Sequence, residues 1–250
     1  ELKAKGLPTG RELELLESVR EQVPKEVFTT PYANPFNRGP EDARRHMAEA
    51  AKLLAAAGWK QQNAELRNAA GEAFTVEFLI VSPEFERIIQ PYGVALGRLG
   101  IKTSIRIVDS AQYRRRLNTF DFDMVVASFR QSVTPGNEQR DYWGSAAADS
   151  EGSRNLIGIK NTAVDQLIEK LIFATDRAEL VAASRALDRV LLWNHYLVPQ
   201  WYVPKERVAM WDMFGGPAKM PTHVQATSRF LQVWWHDQAA AARLSDARRR

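Results

Sequence analysis

The residues of this chain that could carry chemistry are plentiful in kind, but their spacing does not suit catalysis. The four histidines, His46, His195, His223 and His236, form no i, i+4 pair and have no carboxylate at a zinc-binding distance along the chain. They read as surface or capping residues. There is no cysteine, hence no thiol nucleophile, disulfide or thiolate metal site. Gly144-Ser145-Ala146 is not a nucleophile elbow, and no glycine-rich phosphate cradle occurs. The many carboxylates include no pair that stands apart from ordinary helix-surface acids. No positive feature supports an enzyme, and no metal or cofactor is expected.

What remains is a binding surface. Residues 136–155, GNEQRDYWGSAAADSEGSRN, are polar, follow neither a helical nor a strand period, and yet carry Arg140-Asp141-Tyr142-Trp143. Long loops without structure of their own are uncommon in compact domains and are usually functional or disordered. Aromatic rings offer wide contact at low entropic cost, and Arg or Asp can hold charged termini through charge-assisted hydrogen bonds. The expected ligand is small and polar.

The elements that must position this loop alternate. The pattern predicts a helix over Glu12–Val23 ended by Pro24, then an extended Pro-rich linker over Thr29–Pro35. A helix follows from Pro40, with Ala43, Met47, Ala50, Leu54 and Ala57 on one side, a stop at Gly58, and Trp59 packed at its exit. Strands are expected at Phe74–Val81, Ile101–Val108 and Asp123–Phe129, with helices at Phe85–Leu99, bent by Pro91, and from a Ser110 cap through Leu117. That order indicates an α/β layer with parallel or mixed strands. The polar loop leaves the end of its third strand, where open α/β sheets place their ligands.

Beyond the loop, Asn161 or Thr162 caps a helix with Val164, Leu167, Ile168, Leu171 and Ile172 inward, and Asp176-x-x-Glu179 resembles a capping box for the next. The stretches Leu197–Pro204, Val208–Trp211 and Phe230–Trp235 read as extended and aromatic, and the Ala/Arg-rich tail from Ala239 as frayed.

The bulk numbers agree with a folded chain: 250 residues, 45% hydrophobic and 26% charged, suffice for one large or two ordinary domains. A net charge of +4 is too dilute for a nucleic-acid face. Glu1–Lys5 lack the order of a signal peptide, and no run is long enough to span a bilayer. Since the chain opens on Glu1, an upstream part is expected to have been removed or left out.

Taken in order, EDARRHMAEAAKLLAAAGWK, FTVEFLIV, ALGRLGIKTSIRIVDSAQYRRRLNTFDFDMVVASF and NTAVDQLIEKLIFATDRAELVAASRALDRVLLWNHYLVPQWYVPKERVAMW resemble the C-terminal portion of periplasmic oligopeptide and dipeptide solute-binding proteins of ABC importers. Thr134–Ser145 and LLWNHYLVPQWY point to the YejA-like branch, and the likeness runs from about Phe28 to Trp235.

The resemblance implies an α/β fold, a type II periplasmic-binding-protein lobe with a mixed sheet and flanking helices, plus C-terminal strands belonging to the other lobe. It implies residues 1–30 as the end of the N-terminal lobe and a hinge, 31–198 as the C-terminal lobe, 199–236 as return strands, and 237–250 as tail, the rest of the N-terminal lobe being missing. It further implies a periplasmic, monomeric, non-enzymatic receptor that needs no cofactor and has no nucleic-acid partner. Such a receptor holds a peptide between lobes and passes it to inner-membrane permease subunits.

The candidate ligand-binding residues are Phe129, Arg130, Ser132, Glu138, Arg140, Asp141 and Trp143. In the oligopeptide-binding branch an Asp holds the peptide amino terminus; that position falls here on Ser132, so Glu138, Asp141 or a group on the missing lobe would have to stand in. Phe129 takes the place of a cleft-lining aromatic. Two other readings stay open: the loop as a plug packed against the other lobe, and the chain as a non-catalytic interaction module.

Overall fold

The computed structural model describes residues 1–201, 209–219 and 232–249. His223 and the expected strand residues Tyr202–Pro204, Val208, Phe230 and Leu231 lie outside them. The chain divides into two units, Glu1–Val198 and Pro199–Arg250.

The first unit contains two cores. The larger is helical, built from α1 (Gly10–Glu17), α2 (Glu26–Thr29), α6 (Glu138–Trp143), α7 (Thr162–Ile172) and α8 (Arg177–Trp193). In α7, Val164, Leu167, Ile168 and Leu171 recur at helical spacing, and all four are buried. Asn161 caps this helix, its side-chain oxygen accepting from the Ala163 and Val164 N–H groups. Helix α8 presents Ala183, Ala186, Leu187 and Val190 to the same core. Its expected capping box is half formed. Asp176 accepts from Glu179 N–H at 2.8 Å, while the Glu179 carboxylate turns to Thr175 and Arg11.

Residues 1–30, read from sequence as the end of another lobe and a hinge, supply Leu15, Leu16, Val19 and Val27 to this core. The helix expected over Glu12–Val23 is α1 followed by a separate 3-10 turn, Arg20–Gln22. Beneath α1 the Arg189 guanidinium, 1% exposed, pairs with Glu12 and also donates to the Gly6 and Lys5 carbonyls. A buried cation requires such complete pairing, since an uncompensated one is strongly destabilising.

The smaller core lies under a three-stranded sheet ordered β4-β3-β5, where β3 is Thr75–Ile80, β4 Lys102–Ile107 and β5 Met124–Val125. Both pairings are parallel, so this sheet is not mixed. Phe78, Ile80 and Ile89 form its buried centre, with α4 (Glu86–Arg98) across one face. The third strand is much shorter than Asp123–Phe129: only Met124 and Val125 pair with β3. Helix α5 (Ser110–Asn118) is capped by Asp109, one residue before the expected Ser110.

A hairpin of β1 (Lys60–Gln62) and β2 (Glu65–Arg67) precedes the sheet. Gly100 fits against its turn: its φ is +83°, and an added Cβ would lie 2.8 Å from the Leu66 nitrogen. Helix α3 (Pro40–Ala56) forms as expected, but none of its residues is buried. Ala43, Met47, Ala50 and Leu54 are half-buried and Ala57 is exposed. Trp59 stacks on Phe74 with ring centroids 4.5 Å apart, a packing role.

In the second unit, β6 (Phe214–Gly215) and β7 (Trp235–His236) pair antiparallel. The tail is not frayed: α9 (Gln238–Arg249) is helical, started by Asp237, whose carboxylate accepts from Ala240 N–H.

Candidate functional site

The run 136–155 is not a featureless loop. Glu138–Trp143 forms α6, and Ser145–Ala147 a 3-10 turn. The helix is too short to display a period, which is why the sequence pattern misses it. Gly144 ends it in tight quarters, since an added Cβ would meet the Arg140 carbonyl oxygen at 2.6 Å. The next turns are pinned by Asn155, which is fully buried. Its amide nitrogen donates to the Gly144 and Ile159 carbonyls, and its oxygen accepts from Ile159 N–H. A buried amide with partners on both ends holds the backbone better than an apolar residue could.

Tyr142 and Trp143 point into the helical core, 2% and 6% exposed. Trp143 therefore packs rather than presenting its ring to solvent. Its Nε1 donates to Gln139 Oε1 at 3.0 Å, and buried Gln139 donates in turn to Gln131 Oε1 at 2.7 Å. The Tyr142 hydroxyl donates to the Arg130 carbonyl at 3.2 Å. Phe129 closes the cluster, edge-on to Tyr142 at 5.5 Å and tilted on Trp143 at 4.5 Å.

These contacts fix the chain that leaves β5. Between Ala127 and Ser132 the backbone makes no hydrogen bond to another backbone group among the described residues. Phe129 is half-buried and Gln131, though exposed, accepts from Gln139 of α6, while Ser128, Arg130 and Ser132 are exposed. The segment follows β5, an edge strand of its sheet, over an aromatic and amide base, and apart from the Arg130 carbonyl its main-chain donors and acceptors have no partner among the described residues, which is a feature that invites a strand. Sequence reading named Phe129, Arg130 and Ser132 here, and missed Ser128, Gln131, Gln139 and Asn155. Neither the Gln139–Gln131 contact nor Asn155 had a signal in the sequence.

The other candidates lie on α6 and are engaged within the chain. Arg140 forms a two-pronged pair with Glu169 at 2.8 and 2.7 Å, whose hydrogen bonds raise the Arg140 pKa and lower that of Glu169. Asp141 faces Arg154 at 3.8 Å. Burial alone would raise the Glu138 carboxyl, but donors at Gly136, its own N–H and Gln139 outweigh it and leave the pKa below the ordinary range. Ser132 Oγ accepts from Thr134 N–H. No cluster of three or more metal-binding side chains occurs among the described residues. His46 bonds Asn37, and His195 lies beside Trp193 and Tyr32.

A crevice of ≈ 390 Å³ opens elsewhere, lined by Glu77, Arg106, Arg115, Arg116 and Asp121. Arg106 and Arg116 are both paired to Glu77 there, and Arg116 also to Asp121. The crevice is polar and shares no residue with the Phe129 cluster.

Comparison with known proteins agrees with this architecture. The chain is 48% identical over 240 residues to the "Probable peptide-binding protein YejA" of Agrobacterium fabrum, covering 96% of this chain and 39% of that protein. It is 34% identical over 225 residues to the "Peptidoglycan-binding protein YepA" of the same organism, covering 90% of this chain and 36% of that one. It thus spans well under half the length of these relatives.

Among solved structures, the periplasmic oligopeptide-binding protein of Thermotoga maritima, bound to mannohexaose, superposes with a TM-score of 0.56 at 20% identity, over 66% of this chain and 33% of that one. The oligopeptide-binding protein AppA from Bacillus subtilis, in complex with a nonapeptide, gives 0.54 at 19%, over 75% and 38%. These likenesses establish the fold, a lobe of the type II periplasmic-binding-protein class. The model of the bacterial extracellular solute-binding proteins, family 5 middle, matches residues 14–151, more than half of the chain, and the chain belongs to that family.

Proposed function

We propose that the chain forms one lobe of a periplasmic receptor that captures peptides and hands them to an ABC permease, acting as a monomer and without chemical turnover. The observation that carries this reading is the stretch Ala127–Ser132 after β5, whose backbone pairs with no other backbone group among the described residues and which is held on the Phe129–Tyr142–Trp143 base. A peptide has the complementary edge: its main chain can pair with the free donors and acceptors whatever its side chains are. Exposed Ser128, Arg130 and Ser132 would face the ligand, while Phe129 and Trp143 set the height of the edge. Glu138, Arg140 and Asp141 act through α6, which they tie down.

The names of the relatives favour the same ligand class, and peptidoglycan-derived peptides fall within it. In this reading residues 31–198 hold the peptide from one side, and the remainder of a longer protein closes over it. Titration calorimetry of the full-length protein with short peptides tests the proposal. Saturable binding with the peptide recovered unchanged is expected, and cleavage of the peptide or absence of binding contradicts it.

A further inference from the structure

Ser128, Arg130 and Ser132 are exposed, two small hydroxyl residues on either side of one long cation. The neighbouring arginines are all committed: Arg140 to Glu169, Arg154 to Asp141 and Arg177 to Glu1. The Arg130 guanidinium has no ion pair or hydrogen bond among the described residues. Its main chain is nevertheless fixed, because the Tyr142 hydroxyl donates to its carbonyl and its neighbours Phe129 and Gln131 are locked to α6. The nearest acids along the chain are engaged elsewhere: Asp123 accepts from the Glu77 N–H, Glu138 from the Gly136 N–H, and Asp121 pairs with Arg116.

We infer that Arg130 selects peptides carrying a carboxylate opposite it, so that the receptor prefers acidic over neutral ligands. This rests on the peptide-receptor reading. A guanidinium carried on a fixed stretch of main chain presents a planar fork of donors that matches a carboxylate in two-pronged geometry. Flanking serines leave room for that approach and add no competing charge. The carboxylate can come from an acidic side chain or from the peptide's own C-terminus.

The test is calorimetry on the full-length protein with alanine tetrapeptides bearing Glu or Gln at each position in turn, each with a free or amidated C-terminus. In the wild-type protein, one carboxylate position should bind about tenfold more tightly than its amide counterpart, with the advantage shrinking as salt is raised. Arg130→Ala should bring that ratio close to one, and Arg130→Lys should retain part of it. Dependence on the Glu position assigns the partner as a side chain; dependence on amidation assigns it as the C-terminus. Equal binding of Glu and Gln peptides with free or blocked ends, or a preference that survives Arg130→Ala, overturns the inference while leaving the peptide receptor intact. Failure of every peptide to bind removes both.

Discussion

The two cores of the first unit contrast in what holds them. Around α7 and α8 the helical core buries a continuous set of apolar side chains, a paired Arg189–Glu12 and a fully bonded Asn155. The sheet core is smaller, with Phe78, Ile80 and Ile89 clustered at its centre and Leu79 and Ile101 also buried, and no residue of α3 is buried. Its β4 edge is mostly exposed and charged, with Lys102 paired to Glu65 and Arg106 to Glu77. The candidate ligand edge joins the two: it starts from β5 of the thin core and is fastened by α6 to the thick one. A receptor gains from this, because the ligand-facing segment is pre-organised by the part of the fold least able to deform.

Substitutions should separate the cores by size of effect, read as urea or thermal unfolding. Glu12→Ala leaves Arg189 buried and unpaired, and should destabilise by about 3–5 kcal/mol. Leu167→Ala, at a position 1% exposed, should cost about 2–5 kcal/mol. Asn155→Ala, which strands the Gly144 and Ile159 carbonyls, should cost about 1–3 kcal/mol. Leu53→Ala on α3, where the side chain is 64% exposed, should stay within about 0.5 kcal/mol. If Leu53→Ala proved as damaging as Leu167→Ala, the contrast between thick and thin layers would be wrong.

Acid should weaken the sheet side through Glu77. Hydrogen bonds from Arg106, and then from Arg116, hold its carboxyl below the ordinary carboxylate range against an opposing effect of burial. A depressed folded-state pKa means that the stabilising contribution is complete above the unfolded-state value, near 4.3 for Glu. It is lost as pH falls through the folded value. Glu77→Gln should therefore flatten the acid limb of the unfolding profile, and an unchanged limb would remove this pair from the account.

Much of this architecture is written as periodicity. Helices α3, α7 and α8 and strands β3 and β4 repeat over enough residues for their apolar spacing to be read directly. What escaped was short or set by distant partners. Helix α6 has six residues, β5 has two, and the β1–β2 hairpin strands have three each. The cap of α5 moved by one residue because Asp109 and Ser110 are both competent caps, and only the backbone decides between them. At the site, the sequence named Trp143 among the candidate ligand contacts, without showing where its ring lies. A tryptophan in a polar run suggests exposure, whereas its indole here is buried and bonded to Gln139 four residues earlier. Arg130 and Ser132 were named from position alone, and their exposure beside a Phe129 packed on α6 is visible only in the structure.

Hydrogen–deuterium exchange on the full-length protein, with and without a bound peptide, tests the central claim most directly. The amides from Ala127 to Ser132, which have no backbone partner among the described residues, should exchange markedly more slowly when peptide is present, while those of α7 and α8 stay unchanged. Peptide binding confirmed by calorimetry, with exchange across Ala127–Ser132 unaltered, would place the ligand elsewhere and contradict the account.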